Sequence, residues 1–72
     1  MFKVLKFASR LRDLRTQEGM TQRDLAGKAG LSVAAVCKFE TGQMTPTASS
    51  ICKLCEVFGV SADYLIGRTD SP

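Results

Sequence analysis

The chain contains no histidine. That removes the side chain best suited to general acid–base work near neutral pH and the nitrogen ligand of mixed zinc sites. Three cysteines, Cys37, Cys52 and Cys55, are too few for a four-ligand structural zinc. Their odd number also argues against a disulfide framework and for a reducing compartment. No stretch approaches the roughly 20 apolar residues that a membrane helix needs. The opening MFKVLKF is too short and too charged for a signal h-region. There is no phosphate-binding glycine loop, no nucleophile beside a base, no internal repeat and no convincing strand alternation. These absences leave a cytoplasmic, all-α domain that is not an enzyme, with no metal, cofactor or small-molecule ligand evident.

What is present is a charge asymmetry on a small apolar frame. Hydrophobic residues make up 44% of the 72 and charged residues 24%, which suits one compact domain. Residues 1–38 hold eight Lys or Arg against three Asp or Glu, whereas residues 39–72 hold two against four. One half therefore favours a polyanion and the other does not. A generic solvated surface is the plain alternative. A core of this size supplies roughly 3–5 kcal/mol of net stability, so a partner chain is worth seeking.

Glycines and small polar residues divide the chain into five predicted helices. The first runs from Leu5 to Glu18 with Phe7, Leu11 and Leu14 on one stripe, and Gly19 ends it. Thr21 caps the second, Gln22 to Ala29, which buries Leu25, Ala26 and Ala29. Gly30 makes the turn, and Ser32 caps the third helix, Val33 to Thr41, with Val36 and Phe39 inward. Thr47 caps the fourth, whose inward stripe is Ile51, Leu54, Cys55 and Phe58. Ser61 caps a short fifth helix, ADYLIG. The domain is expected over residues 1–67, with 68–72 as a flexible tail.

The segment from Gln22 onward meets seven constraints in 20 residues. Leu25, Ala29, Leu31, Val36 and Phe39 are apolar, as two helices locked at roughly 90–120° require. Ala26 is small where the helices nearly touch, and Gly30 suits a turn with positive φ. At these residues, together with Arg10-Leu11, Leu14-Arg15, Thr21-Gln22, Glu40-Thr41-Gly42, Pro46, Gly59-Val60-Ser61 and Tyr64-Leu65, the chain resembles the Xre family of helix-turn-helix regulators, which includes the phage lambda-type repressors and Cro proteins. The resemblance covers about residues 7–67. It implies a five-helix lambda-repressor-like fold, a recognition helix over residues 33–41 in the major groove, and a homodimer on a palindromic double-stranded DNA operator. It also implies a transcriptional regulator, most readily a repressor, of bacterial or phage origin.

Roles follow residue by residue. Thr21 and Gln22 open the second helix, whose free N–H groups and positive dipole end suit a phosphate; the resemblance supports Gln22 as a phosphate contact. Thr41, Gln43 and Thr45 flank the exit of the third helix and are candidate phosphate donors on the other side of the groove. The family often carries Lys or Arg there, so their absence predicts a shallower salt dependence. The family places a structural ion pair at Arg15 and Glu40, although Arg15 could instead face a phosphate. The base-reading set is Ser32, Val33, Ala34 and Lys38. Lys38 suits guanine O6/N7, while Val33 and Ala34 suit the thymine methyl. Val33 and Ala34 are otherwise fillers, with specificity left to DNA shape.

Cys37 lies on this exposed face, and redox control through it is a further hypothesis. Arg10, Arg12, Lys3 and Lys6 offer long-range attraction or backbone contacts, with solvated charge as the plain alternative. A dimer face is expected at Val60, Tyr64, Leu65 and Ile66, which offer more apolar surface than a short terminal helix is expected to bury in its own chain. The competing function is a protein-interaction module that keeps the fold and has lost DNA reading; the poor hydrogen-bonding capacity of the third helix favours it and the basic first half opposes it.

Overall fold

Hydroxyl side chains set most of the helix starts. In a computed structural model that describes residues 2–72, Thr21, Ser32, Thr47 and Ser61 each accept a hydrogen bond from the backbone N–H three residues on, those of Asp24, Ala35, Ser50 and Tyr64. Such caps contribute about 1 kcal/mol each. They open α2 (Gln22–Ala29), α3 (Val33–Thr41), α4 (Ala48–Phe58) and α5 (Ala62–Leu65). The leading helix, α1 (Val4–Gln17), has no side-chain cap at Lys3 and relies on the packing of its Phe7–Leu11 stripe. Among the described residues these five helices are the only regular elements and no strand occurs. The expected all-α class, with the helix-turn-helix at α2 and α3, is therefore the observed one. No described helix is long and apolar enough to cross a membrane.

The core gathers residues from every helix. Phe7 and Leu11 of α1 meet Leu25, Ala26 and Ala29 of α2, Val36 and Phe39 of α3, Leu54 of α4 and Leu65 of α5. The Phe7 and Phe39 rings stand edge to face, with centroids 5.7 Å apart and planes at 74°. That geometry sets the positive edge of one ring against the negative face of the other. α4 packs on α2 and α5. Of its expected inward stripe only Leu54 is fully buried, and Ile51, Cys55 and Phe58 stay half-buried at the edge of the core.

The structure corrects the expected dimer set at one residue. Leu65 is fully buried within its own chain, so it has no surface to offer a partner. The short α5 closes the bottom of the core against α1 and α4 and uses Leu65 as its plug. Val60, Tyr64 and Ile66 remain partly exposed.

Residues 68–72, expected to be a flexible tail, are drawn back along α1. The Arg10 guanidinium donates to the carbonyls of Tyr64 and Thr69 and to Asp70 Oδ1, each at 2.6 Å. It also sits 4.1 Å from the centroid of the Tyr64 ring. The Pro72 carbonyl accepts from the Ser61 N–H at 3.1 Å. Arg10 is thus an internal clamp rather than a free surface cation.

The turn between α2 and α3 requires a left-handed residue. Gly30 has φ +68° with open space where a Cβ would stand, so the requirement is conformational alone. Gly42, ending α3, has φ +77°, and an added Cβ would meet Leu5 Cδ2 at 2.8 Å. Leu5 is 71% exposed, so its far end swings away. Gly30→Ala and Gly42→Ala are therefore expected to destabilise the domain by similar amounts, about 1–2 kcal/mol each, in urea unfolding.

Asp24 completes a reciprocal cap: its N–H bonds Thr21 Oγ1 while its Oδ2 accepts the Thr21 N–H, both at 3.0 Å. The Thr21 backbone and side-chain hydrogen bonds hold the Asp24 carboxyl below its usual value of 3.8. A depressed folded-state value gives a stabilisation that is complete above that usual value and is lost as the pH falls through the folded one. Acid titration of the unfolding midpoint below pH about 4 should show this loss, and Asp24→Asn should flatten that part of the curve.

Candidate nucleic-acid interface

The outward side of the α2–α3 unit is defined by what the core leaves exposed. Val36, Phe39 and Glu40 are the buried residues of α3. Ser32, Val33, Ala34, Cys37, Lys38 and Thr41 are exposed. One side of a nine-residue helix is thereby anchored and the opposite side is open along its length. A single α-helix with an open side fits the B-DNA major groove, about 12 Å wide. All four expected base-reading residues lie on that open side. Lys38 has no carboxylate within ion-pair distance among the described residues, so its ammonium is uncommitted. Val33 is one of the large apolar side chains left exposed.

The frame behind this face is a buried ion pair. Arg15 Nε donates to Glu40 Oε2 at 2.6 Å, and Arg15 Nη2 donates to Glu40 Oε1 at 3.0 Å. The Glu40 side chain is only 3% exposed. The hydrogen bonds to Glu40 raise the Arg15 pKa, against the lowering effect of burial. Arg15 Nη1 also donates to the Met20 carbonyl at 2.7 Å, which ties in the loop before α2. The two side chains expected to pair are therefore brought together, and three of the five Arg15 N–H groups are used within the chain. A charge pair this deep does not stabilise strongly in net terms, but loss of one partner costs roughly 3–5 kcal/mol because the other charge stays buried.

The phosphate candidates divide into three kinds. Gln43 and Thr45 are exposed in the loop after α3. Thr21 and Gln22 stand at the start of α2, where Thr21 already caps Asp24 and Gln22 Nε2 donates to Glu40 Oε1 at 3.2 Å. The backbone N–H groups of Gln22 and Arg23 lie in the first turn, where an α-helix supplies no partner of its own. Thr41 turns its hydroxyl back onto the Cys37 carbonyl at 3.0 Å and the Lys38 carbonyl at 3.3 Å. A phosphate must compete with those bonds for its one proton.

Two contacts were not foreseen from the sequence. Arg12 Nη1 donates to the Glu40 carbonyl at 3.3 Å, satisfying a backbone acceptor at the end of α3. Glu40 also receives Gln22 in addition to Arg15. The Thr21-x-x-Asp24 spacing carried a signal for the reciprocal cap. Nothing local announced the other two, which span 28 and 18 positions. Arg10, Arg12 and Arg15 each donate within the chain and Lys6 lies 3.9 Å from Asp70, so four of the eight basic residues of the first half have partners in the molecule. The thiol of Cys55 is half-buried and its pKa is pushed up, first by burial and then by Cys52, whereas Cys37 is exposed on the α3 face.

Comparison with known proteins agrees with this geometry. A helix-turn-helix family model matches residues 11–65. A SPbeta prophage-derived HTH-type transcriptional regulator of Bacillus subtilis, YonR, is 33% identical over 63 residues, covering 88% of this chain and 58% of its own length. The cryptic phage CTXphi transcriptional repressor RstR of Vibrio cholerae is 31% identical over 64 residues, covering 89% and 57%. The chain thus spans little more than half the length of these relatives. Among solved structures, the restriction-modification controller protein C.AhdI of Aeromonas hydrophila superposes with a TM-score of 0.81 at 35% identity, covering 86% of this chain and 94% of that one. The buried Arg15–Glu40 frame, the open α3 face and these matches have one common reading: the chain belongs to the Xre/Cro-type helix-turn-helix family of DNA-binding transcriptional regulators, which is not an enzyme family.

Proposed function

We infer that the chain represses transcription by binding a palindromic operator as a homodimer, with α3 in the major groove of each half-site. The observation that carries this reading is the uncommitted Lys38 ammonium on a helix face otherwise lined by Ser32, Val33 and Ala34. A lysine is matched to the O6/N7 acceptors of guanine, and the short apolar side chains to the C5-methyl of thymine. Short side chains also let the helix axis approach the base edges closely. Gln22, Thr21, Gln43 and Thr45 supply neutral phosphate donors on both sides, with Thr41 joining once its hydroxyl turns outward.

The dimer part of the reading rests on Val60, Tyr64 and Ile66, which stay partly exposed around the buried Leu65. One helix with one strong donor gives limited specific affinity. Two-fold symmetry doubles the contacts and sets half-sites about 34–36 Å apart. The acidic balance of residues 39–72 suits a face turned away from phosphates. Similarity to RstR, a transcriptional repressor, supports repression over activation.

Selection of bound duplexes from a random pool should return half-sites with guanine and thymine at adjacent positions. Lys38→Ala should cost about 10- to 100-fold in affinity for the selected site and relax the preference for guanine. If Lys38 instead meets only phosphate, the variant will weaken all sequences alike and reduce the salt slope by about 1 for each subunit. In sedimentation, the wild-type chain is expected to dimerise at micromolar concentrations and Ile66→Glu to hold it monomeric with its helicity unchanged. A wild-type chain that stays monomeric with and without operator would refute the dimer.

A further inference from the structure

Glu40 has a second task beyond pairing with Arg15. Its Oε1 accepts both Arg15 Nη2 at 3.0 Å and Gln22 Nε2 at 3.2 Å, while its Oε2 accepts Arg15 Nε at 2.6 Å. A carboxylate only accepts, so it admits just one orientation of the Gln22 amide: the NH₂ group turned inward and the carbonyl oxygen turned away. One N–H is spent on Glu40. The other N–H and the carbonyl oxygen are left, beside the first turn of α2. We propose that Glu40 is a positioning residue for DNA binding, which sorts the two ends of the Gln22 amide so that its remaining N–H meets a phosphate oxygen at the α2 N-terminus. This rests on the DNA-binding reading above and adds to it the reason one neutral side chain can act as a phosphate contact.

The chemistry favours this assignment in two ways. A glutamine on a helix surface ordinarily samples several rotamers and both amide orientations, and loses that freedom on binding. Here a buried carboxylate, fixed by the Arg15 fork, has already removed it. The Arg15 charge also offsets that of Glu40, so the carboxylate repels a phosphate on the second N–H far less than an unpaired one would. The phosphate contact is thereby coupled to the ion pair in the core, through one oxygen atom that belongs to both.

A double-mutant cycle on DNA affinity tests the coupling, using one duplex selected by the wild-type protein. Gln22→Ala is expected to weaken binding about 10-fold in the wild-type background, as loss of a hydrogen bond to a charged group does. In the Glu40→Gln background the same change should cost less than about 3-fold, because an amide at 40 no longer sorts Gln22. Equal losses in both backgrounds would overturn the proposal. Should Glu40→Gln fail to fold, the free wild-type protein decides the matter. Its Gln22 side-chain amide should show one proton shifted downfield of an ordinary glutamine pair and protected from exchange, and a pair at ordinary shifts that exchanges freely would overturn the positioning role. Absence of any competition-resistant DNA site would count against the DNA reading itself, and the amide signal would still judge the positioning.

Discussion

The structure turns on one buried carboxylate. Glu40 lies at the end of α3 with its side chain almost wholly removed from water, and an unpaired charge there is untenable. Its oxygens are satisfied by Arg15 from α1 and Gln22 from α2, while its backbone carbonyl receives Arg12 from α1. Three helices are thus pinned at a single residue. Arg15 extends the network to the Met20 carbonyl, so the loop before α2 is held as well. Apolar packing alone leaves a short helix such as α3 some freedom to rotate or slide. A bidentate ion pair with fixed fork geometry removes much of that freedom, and the tilt of α3 decides which side chains reach a groove.

The same network changes the electrostatic picture drawn from composition. The first half of the chain is rich in basic residues, yet three arginines of α1 are turned to internal acceptors. Arg10 holds the C-terminal residues, Arg12 the end of α3, and Arg15 the core carboxylate. The cations that remain around the α2–α3 unit are Arg23, Lys28 and Lys38, all exposed. On the proposed reading, recognition by such a surface would lean less on phosphate charge and more on close fit, neutral hydrogen bonds and contact with thymine methyls. The spare hydrogen-bonding of α3 and the committed arginines of α1 point in the same direction.

Much of the fold was legible in local signals. The boundaries of α2 and α3 match those expected, because each start is a hydroxyl cap and each end a glycine with positive φ. The packing residues Leu25, Ala26, Ala29, Val36 and Phe39 are buried as the helical periodicity requires. The Arg15–Glu40 pair came from the resemblance, since 25 positions separate the partners and spacing alone is silent about them. Less legible were the degrees of burial at the far end. Ile51, Cys55 and Phe58 share a stripe with Leu54 but sit at its margins, where α4 meets only the edge of the core. Leu65 read as spare apolar surface because a four-residue helix looks too short to be enclosed. The surrounding α1 and α4 enclose it.

What the sequence by itself determined is the set of helices, their caps and the α2–α3 turn. These depend on a hydroxyl three residues from an N–H, on a glycine free to adopt positive φ, and on a 3.6-residue apolar period, all of which are short-range along the chain. Only the tertiary structure decided which polar groups meet. Arg10 found the tail, Arg12 the end of α3, and Gln22 the carboxylate of Glu40, across separations of 18 to 60 positions. The reason is physical: a long polar side chain reaches many acceptors, and its partner is chosen by whichever one the packed helices bring within about 3 Å and shield from water.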